Sequence, residues 1–283
     1  MKNVLFYKFI VLDSLEELQA SQFELCRSLN LKGKVLLGKE GINGCLSGAD
    51  EDIQKYIDVM KSDSRFADVT FKLTPAHAHT FKKLFIRVRD QIVASSWNDN
   101  RSKTAPYIEP KELKSLLDKN EDVVLIDMRN GYEYDIGHFK NAVKVPTETF
   151  RELPSILPSL EKYKQKKIVT YCTGGIRCEK ATVLLRENGF ENVQQLHGGI
   201  VEYGLELGNA HWDGKCFVFD QRGAIDIDPE HMSDPITICY WCRQPSAEYR
   251  NCAKLDCDKM FISCDSCARE HKSACSKKCR SHL

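Results

Sequence analysis

No run of apolar residues in this 283-residue chain approaches the eighteen or so that a membrane-spanning helix needs. Residues 1–11 alternate and carry lysines, with no small-residue cleavage site behind them, so export is not expected and a cytoplasmic location is. Charge of one sign is missing as well, because Lys+Arg 41 against Asp+Glu 40 leaves a net +1. Residues 1–100 carry 14 basic and 13 acidic side chains, 101–238 carry 18 and 22, and 239–283 carry 9 and 5. No polyelectrolyte tail exists, and any nucleic-acid contact must come from a local patch. Neither a Rossmann glycine fingerprint nor a Walker string occurs, which speaks against a nucleotide cofactor. Cysteine is sparse over the first 238 residues, whereas eight of the 13 crowd into the last 45. In an unexported protein that crowding suggests metal ligation before disulfides. With 42% hydrophobic and 29% charged residues the composition is globular, and the length suits two or three domains.

Residues 4–9 read as a strand, and Leu15, Leu18, Leu25 and Leu29 recur at helical spacing. Two further strands, 34–37 and 42–46, flank the Gly38-Lys39-Glu40-Gly41 reversal; Ile53, Tyr56, Ile57 and Met60 mark a second helix, and 69–73 a fourth strand. The order βαββαβ predicts a ferredoxin-like α+β domain over 1–95. A strand over 81–89 places Leu84, Ile86 and Val88 on one face and Phe81, Lys83, Phe85, Arg87 and Arg89 on the other. Aromatics interleaved with cations suit bases and phosphates, which makes Lys83, Arg87 and Arg89 candidate RNA contacts; a solvated sheet face is the plainer alternative. Residues 96–106, rich in Asn, Asp and Ser, read as a linker. Beyond them helices and strands alternate, with 123–126 and 168–171 too uniformly apolar for half-exposed strands. That pattern predicts a doubly wound parallel α/β domain over 107–205, followed by a hairpin-like connection over 206–238 and a small Cys-rich module over 239–283.

The sharpest local signal runs Cys172-Thr173-Gly174-Gly175-Ile176-Arg177-Cys178, where a buried strand ends and a helix begins. Open α/β sheets bind ligands at such carboxyl ends. A thiol there faces the amides of the next helix, and the helix dipole with Arg177 favours the thiolate. The two glycines let N–H groups curl around the sulfur as an anion nest. Phosphatases of the Cys-x5-Arg type need five residues between thiol and arginine; here there are four, so sulfur-centred chemistry is favoured over phosphate-ester hydrolysis. Cys178 suits either a resolving thiol or a small residue opening the helix. Asp127 and Arg129 close the neighbouring strand and suit a brace for the loop better than direct chemistry. His138 reads as a hydrogen-bonding histidine, and Cys26, Cys45 and Cys216 receive no role.

Asp127-Met128-Arg129, Tyr132-Glu133-Tyr134, residues 137–142, the Cys172 loop and His197-Gly198-Gly199-Ile200 together resemble a rhodanese domain in order and spacing. With Glu40-Gly41-Ile42-Asn43-Gly44, residues 212–222 and the terminal cysteines added, nearly the whole chain is similar to the rhodanese-like tRNA uridine hydroxylases. That resemblance implies oxygen-dependent hydroxylation of the wobble uridine to 5-hydroxyuridine. It further implies molecular oxygen as co-substrate, the tRNA anticodon stem-loop as partner and Cys172 as the essential cysteine. Two routes are open to the sulfur: addition to carbon 6 of the uracil, or carriage of an oxidised or persulfide sulfur. A plain sulfurtransferase is the alternative enzyme, and an inert RNA or protein adaptor the alternative outside catalysis.

The terminal cysteines form four short pairs, Cys239/Cys242, Cys252/Cys257, Cys264/Cys267 and Cys275/Cys279. Such spacing presents both sulfurs of a pair to one tetrahedral zinc ion, and four pairs suffice for two structural ions, with disulfides or loose thiols as alternatives. Which pairs share an ion is not deducible from spacing. Two Zn²⁺ on eight thiolates bring the module's charge close to zero, which weakens any reading of it as a basic RNA clamp.

Overall fold

The computed structural model describes residues 1–97, 101–257 and 259–283, apart from the Arg101 side chain. Strands β1 (Lys2–Phe9), β2 (Lys32–Gly38), β3 (Gly41–Gly48) and β4 (Lys72–Pro75), with helices α1 (Leu15–Ser28) and α2 (Asp50–Ser62), build the first domain. A fifth strand, β5 (Leu84–Val88), extends the sheet to the order β4-β1-β3-β2-β5. Removing β5 leaves the ferredoxin-like unit expected from the sequence, and β5 joins its edge parallel to β2. The fourth strand begins at Lys72 and not at 69, because Val69 N–H closes a turn onto the Phe66 carbonyl. The fifth is correspondingly shorter than 81–89.

Strand alternation decides what each face does. Val4, Phe6, Val35, Leu37, Ile42 and Leu46 point to the helices and are fully buried, each such side chain contributing about 1.5–3 kcal/mol. The opposite face is covered by neither α1 nor α2. Cross-strand register places Lys72, Leu5, Cys45, Lys34 and Phe85 in one row across it, and Tyr7, Asn43, Leu36 and Arg87 in the next.

The second domain comprises β6 (Tyr107–Ile108), α3 (Pro110–Asp118), β7 (Val123–Asp127), α4 (Gly131–Ile136), β8 (Gly137–Phe139) and β9 (Val143–Lys144). It continues through α5 (Leu153–Leu160), β10 (Lys167–Tyr171), α6 (Ile176–Glu187), β11 (Val193–Leu196) and α7 (Gly199–Leu207). Its parallel sheet has the order β6-β11-β10-β7-β9, with helices on both faces, so β10 is central and its carboxyl end lies inside the domain. Three of the expected linker residues, 98–100, lie outside the described residues. The rest of 96–106 is no free tether: Ala105 is buried and donates to Thr182 Oγ1 at 3.2 Å, and Arg186 holds the carbonyls of Lys103 and Thr104, both at 2.9 Å.

After α7, β12 (Trp212–Gly214) pairs with β8, and β13 (Cys216–Phe217) with β14 (Ala224–Ile225) forms a hairpin. The last module contains β15 (Tyr249–Asn251), β16 (Met260–Ile262), α8 (Asp265–Glu270) and α9 (Lys277–Arg280). Its apolar cluster is small, formed by Trp241 and Phe261 with several cysteines and Ala274.

Candidate active site and cysteine clusters

Cys172 directly follows β10, and α6 starts four residues later. The Cys172 and Thr173 carbonyls are held by the Ile200 and Val201 N–H groups, both at 3.0 Å, in the first turn of α7. Anchoring the carbonyls outward leaves loop N–H groups for the sulfur, and Gly175 N–H donates to Cys172 Sγ at 3.1 Å. Two glycines are obligatory here. Gly175 has φ +101°, and a Cβ on Gly199 would lie 2.4 Å from the Cys172 carbonyl oxygen.

Burial works against ionisation of the Cys172 thiol. The Cys178 S–H, the Arg177 charge and the N–H groups of Cys178 and Arg177 outweigh it and bring Cys172 down to about 6. Cys178, fully buried beside it, is pushed up by burial and by the hydrogen bond and charge of Cys172, so it is the partner that keeps its proton. Arg177 is itself clamped: its two terminal nitrogens donate to Glu133 at 2.6 and 2.9 Å, and one reaches Thr173 Oγ1 at 3.3 Å. Glu133 also accepts the Asn130 N–H at 3.1 Å, which ties the start of α4 to the start of α6. The guanidinium therefore acts on the sulfur as a fixed charge. Glu133→Gln is expected to cost about 3–5 kcal/mol of stability, since it leaves the buried Arg177 without its counter-charge; urea unfolding measures this, and a loss under 1 kcal/mol would show that the pair is dispensable.

Asp127 and Arg129 are both fully buried and paired at 2.6 Å. Arg129 also donates to the Gly137 carbonyl at 2.6 Å and covers the Trp212 ring at 5.4 Å. The pair fastens β7 to β8 and β12, and neither side chain lines the cleft above Cys172.

That cleft has a volume of about 560 Å³, within the usual range for ligand sites. Cys172, Thr173, Gly174, Ile176 and Arg177 form its floor; Leu5, Tyr7 and Asn43 of the open sheet face form one wall, and Phe219 and Arg222 of the hairpin another. Cys172 is 1% exposed and lines this space. A Cβ on Gly174 would sit 2.6 Å from Leu5, and one on Gly175 would sit 2.9 Å from the Tyr7 hydroxyl. Tyr7 donates to Glu179 at 3.1 Å, Tyr107 also donates to Glu179, and the buried Lys180 pairs with Glu40 at 2.8 Å. Glu40 further accepts the Ile92 N–H at 2.8 Å, and Asn43 donates to the Ile92 carbonyl at 2.9 Å. Glu40 of the β2–β3 reversal and Tyr7 thus meet the first turns of α6, directly beyond the Cys172 loop, across one interface.

Sequence reading gave Tyr7, Glu40, Glu133, Glu179 and Lys180 no role. The available signal was the charge inside α6, which is buried over nine consecutive residues that include Glu179 and Lys180; charges on a fully buried helix require partners. Lys83, Arg87 and Arg89 are exposed on or beside β5. The Arg87 guanidinium lies 5.1 Å over the Phe85 ring, and Lys34 is lowered first by burial and then by the Arg87 and Arg89 charges.

The terminal cysteines gather in two interleaved groups, Cys239/Cys242/Cys264/Cys267 and Cys252/Cys257/Cys275/Cys279, with sulfurs within 4.8 Å of one another in each. All are free thiols. Cys242–Cys264, Cys257–Cys275 and Cys275–Cys279 sulfurs lie 3.7, 3.6 and 3.7 Å apart, close to the edge of about 3.8 Å for a tetrahedron with metal–sulfur bonds of about 2.3 Å. Either group can hold a metal ion. First and third cysteine pairs share one group and second and fourth the other, so the chain between them is folded back twice.

Three family models match in succession: the UPF0176 acylphosphatase like domain over residues 1–92, the Rhodanese-like domain over 109–206 and the Rhodanase C-terminal over 213–280. The tRNA uridine(34) hydroxylase of Bacillus licheniformis is 41% identical, over 100% of this chain and 90% of that protein. Those of Bacillus mycoides and Enterococcus faecalis are 42% and 43% identical over 99% of this chain and 89% and 90% of theirs. With identity of this level along its whole length and all three regions in order, the chain belongs to the tRNA uridine(34) hydroxylase family.

Proposed function

We propose that this protein hydroxylates carbon 5 of the wobble uridine in tRNA, giving 5-hydroxyuridine, with molecular oxygen as co-substrate and Cys172 as the essential group. The observation that carries this reading is a thiolate-favouring cysteine on the floor of a cleft roomy enough for a nucleobase, in a chain of this family. The base must leave its stack to reach the sulfur, which an anticodon loop permits at small cost. Addition of the thiolate to carbon 6 forms an S–C bond and moves the C5–C6 electron pair toward carbon 5 and the O4 carbonyl. Carbon 5 then becomes the electron-rich position that dioxygen attacks. One oxygen atom stays as the 5-hydroxyl, and the other leaves as water with two electrons and two protons from an external thiol reductant. Expulsion of the thiolate with loss of the carbon 5 proton restores the ring.

Lys34 lines the cleft, the Arg87 and Arg89 charges act on it and Lys83 lies just before β5; such a set of cations suits backbone phosphates beside the target base. Each cysteine group holds a structural zinc ion in this reading, since four thiolates in a tetrahedral set favour that metal. The partner is the anticodon stem-loop, and the place of action is the cytoplasm.

The deciding experiment is mass analysis of tRNA nucleosides from cells with and without the gene. Loss of 5-hydroxyuridine and its derivatives in the deleted strain is the expected result. Unchanged nucleosides, with rapid thiocyanate formation from thiosulfate and cyanide by the pure protein, would replace the reading with sulfur transfer.

A further inference from the structure

The amino-terminal domain places one cation under the Cys172 loop for which neither the fold nor the reaction so far has given a use. Lys72 lies on β4, paired in register with Leu5. It therefore projects to the open sheet face, the side from which Leu5 touches Gly174. Lys72 is 5% exposed, and its ammonium forms no ion pair within 4 Å among the described residues. Its stem passes the Gly198 position, where a Cβ would lie 3.1 Å from Lys72 Cε, and its Nζ stands 5.3 Å over the Tyr7 ring. Gly199, the next residue, packs against the Cys172 carbonyl and the Gly175 nitrogen. Loop, tyrosine ring and lysine are thus stacked in one place.

A buried lysine without an ion-paired carboxylate is costly and calls for counter-charge nearby, of which Glu202, beside it at Gly198, is the largest. Burial lowers Lys72, and the charges that raise it are Glu202, Cys172 and Glu179. Glu202 flanks Gly198 on α7, and Glu179 on α6 is engaged by Tyr7 and Tyr107. The anion that appears only on activation is the Cys172 thiolate.

We propose that Lys72 is the cross-domain counter-charge of Cys172: a positioning residue that holds the reacting sulfur as thiolate and makes that activation depend on docking of the amino-terminal sheet. Arg177 and Cys178 act on the sulfur from within its own domain, and Tyr7 separates it from the lysine. Glu179 and Glu202 oppose ionisation, and Tyr107 binds the first of these. The proposal rests on Cys172 being the reacting sulfur and is independent of the substrate, so it is tested on the protein without tRNA.

The measurement is the pH dependence of iodoacetamide alkylation at Cys172 in the full chain, followed by peptide mass analysis so that the other cysteines do not interfere. Lys72→Met is expected to raise the midpoint by about one pH unit, the lower end of the effect of an opposite charge, since Tyr7 and not the sulfur is what the ammonium lies against. Lys72→Arg, which keeps the charge, is expected to restore it to within a few tenths. A role limited to packing moves neither midpoint, and an unchanged midpoint in a folded Lys72→Met protein overturns the proposal. Should Lys72→Met fail to fold, reciprocity supplies a second arm. In Cys172→Ser the Lys72 amine, followed by NMR of ¹⁵N-labelled lysine, is expected to titrate about one unit lower than in the wild type. An equal value in both proteins likewise overturns it.

Discussion

Cys172→Ser is expected to lower turnover of a uridine-bearing anticodon stem-loop by at least on the order of a thousandfold, because an alcohol at neutral pH supplies almost no anion for addition to the base. The fold should survive, since a hydroxyl can accept the Gly175 N–H that the sulfur accepts now, and the loop carbonyls remain held by α7. The same assignment fixes the pH profile of the wild type. The reactive form is the thiolate, and the thiol sits at about 6, so kcat/KM should be flat above neutrality and fall about tenfold per unit as pH drops through and below that value. A serine variant with wild-type turnover, or a profile whose acid limb lies near the ordinary thiol value, would remove the sulfur from the chemistry.

Metal removal should have the second largest effect, and on structure. The module has little apolar core, so with zinc bound as proposed its order would rest on ligation; structural zinc sites are worth about 10–16 kcal/mol in small zinc-binding peptides at neutral pH. The purified full chain is expected to hold two zinc ions, with Cys239→Ser and Cys252→Ser each losing one. A strong chelator should release both and open residues 239–283 to proteolysis while the first two domains keep their circular dichroism. Trp241 is a local probe, since it stacks on His271 at 3.9 Å and donates to the Ala274 carbonyl at 3.2 Å. Release should steepen on acidification, because the ligands must be deprotonated. Chain purified with zinc available that contains none, yet resists proteolysis over 239–283, would refute the structural role.

Much of the site was legible locally. The strand end, the two glycines and the arginine four residues beyond Thr173 are consecutive, and with Cys178 they supply the groups inside its own domain that lower the thiol. The placement of Asp127 with Arg129 was equally readable, being a pair two residues apart. The Arg177–Glu133 clamp was not, because the partners are 44 residues apart and belong to two different helices, α6 and α4. Lys72 was invisible for a different reason: periodicity placed its strand at 69–73 and said nothing of what its exposed face would meet. The cysteine spacing gave the pairs, and only the double fold-back of the chain chose which pairs meet.

The sequence by itself determined the order of the layers and the chemistry of the cysteine loop, since both are set by periodicity and by neighbours within a few residues. Tertiary structure alone decided that the open face of the first sheet packs against that loop, walls the cleft and brings Tyr7, Glu40 and Lys72 to the second domain. Such a match depends on the shape and charge of two surfaces whose residues lie more than a hundred positions apart, and no local pattern encodes which surface another will meet.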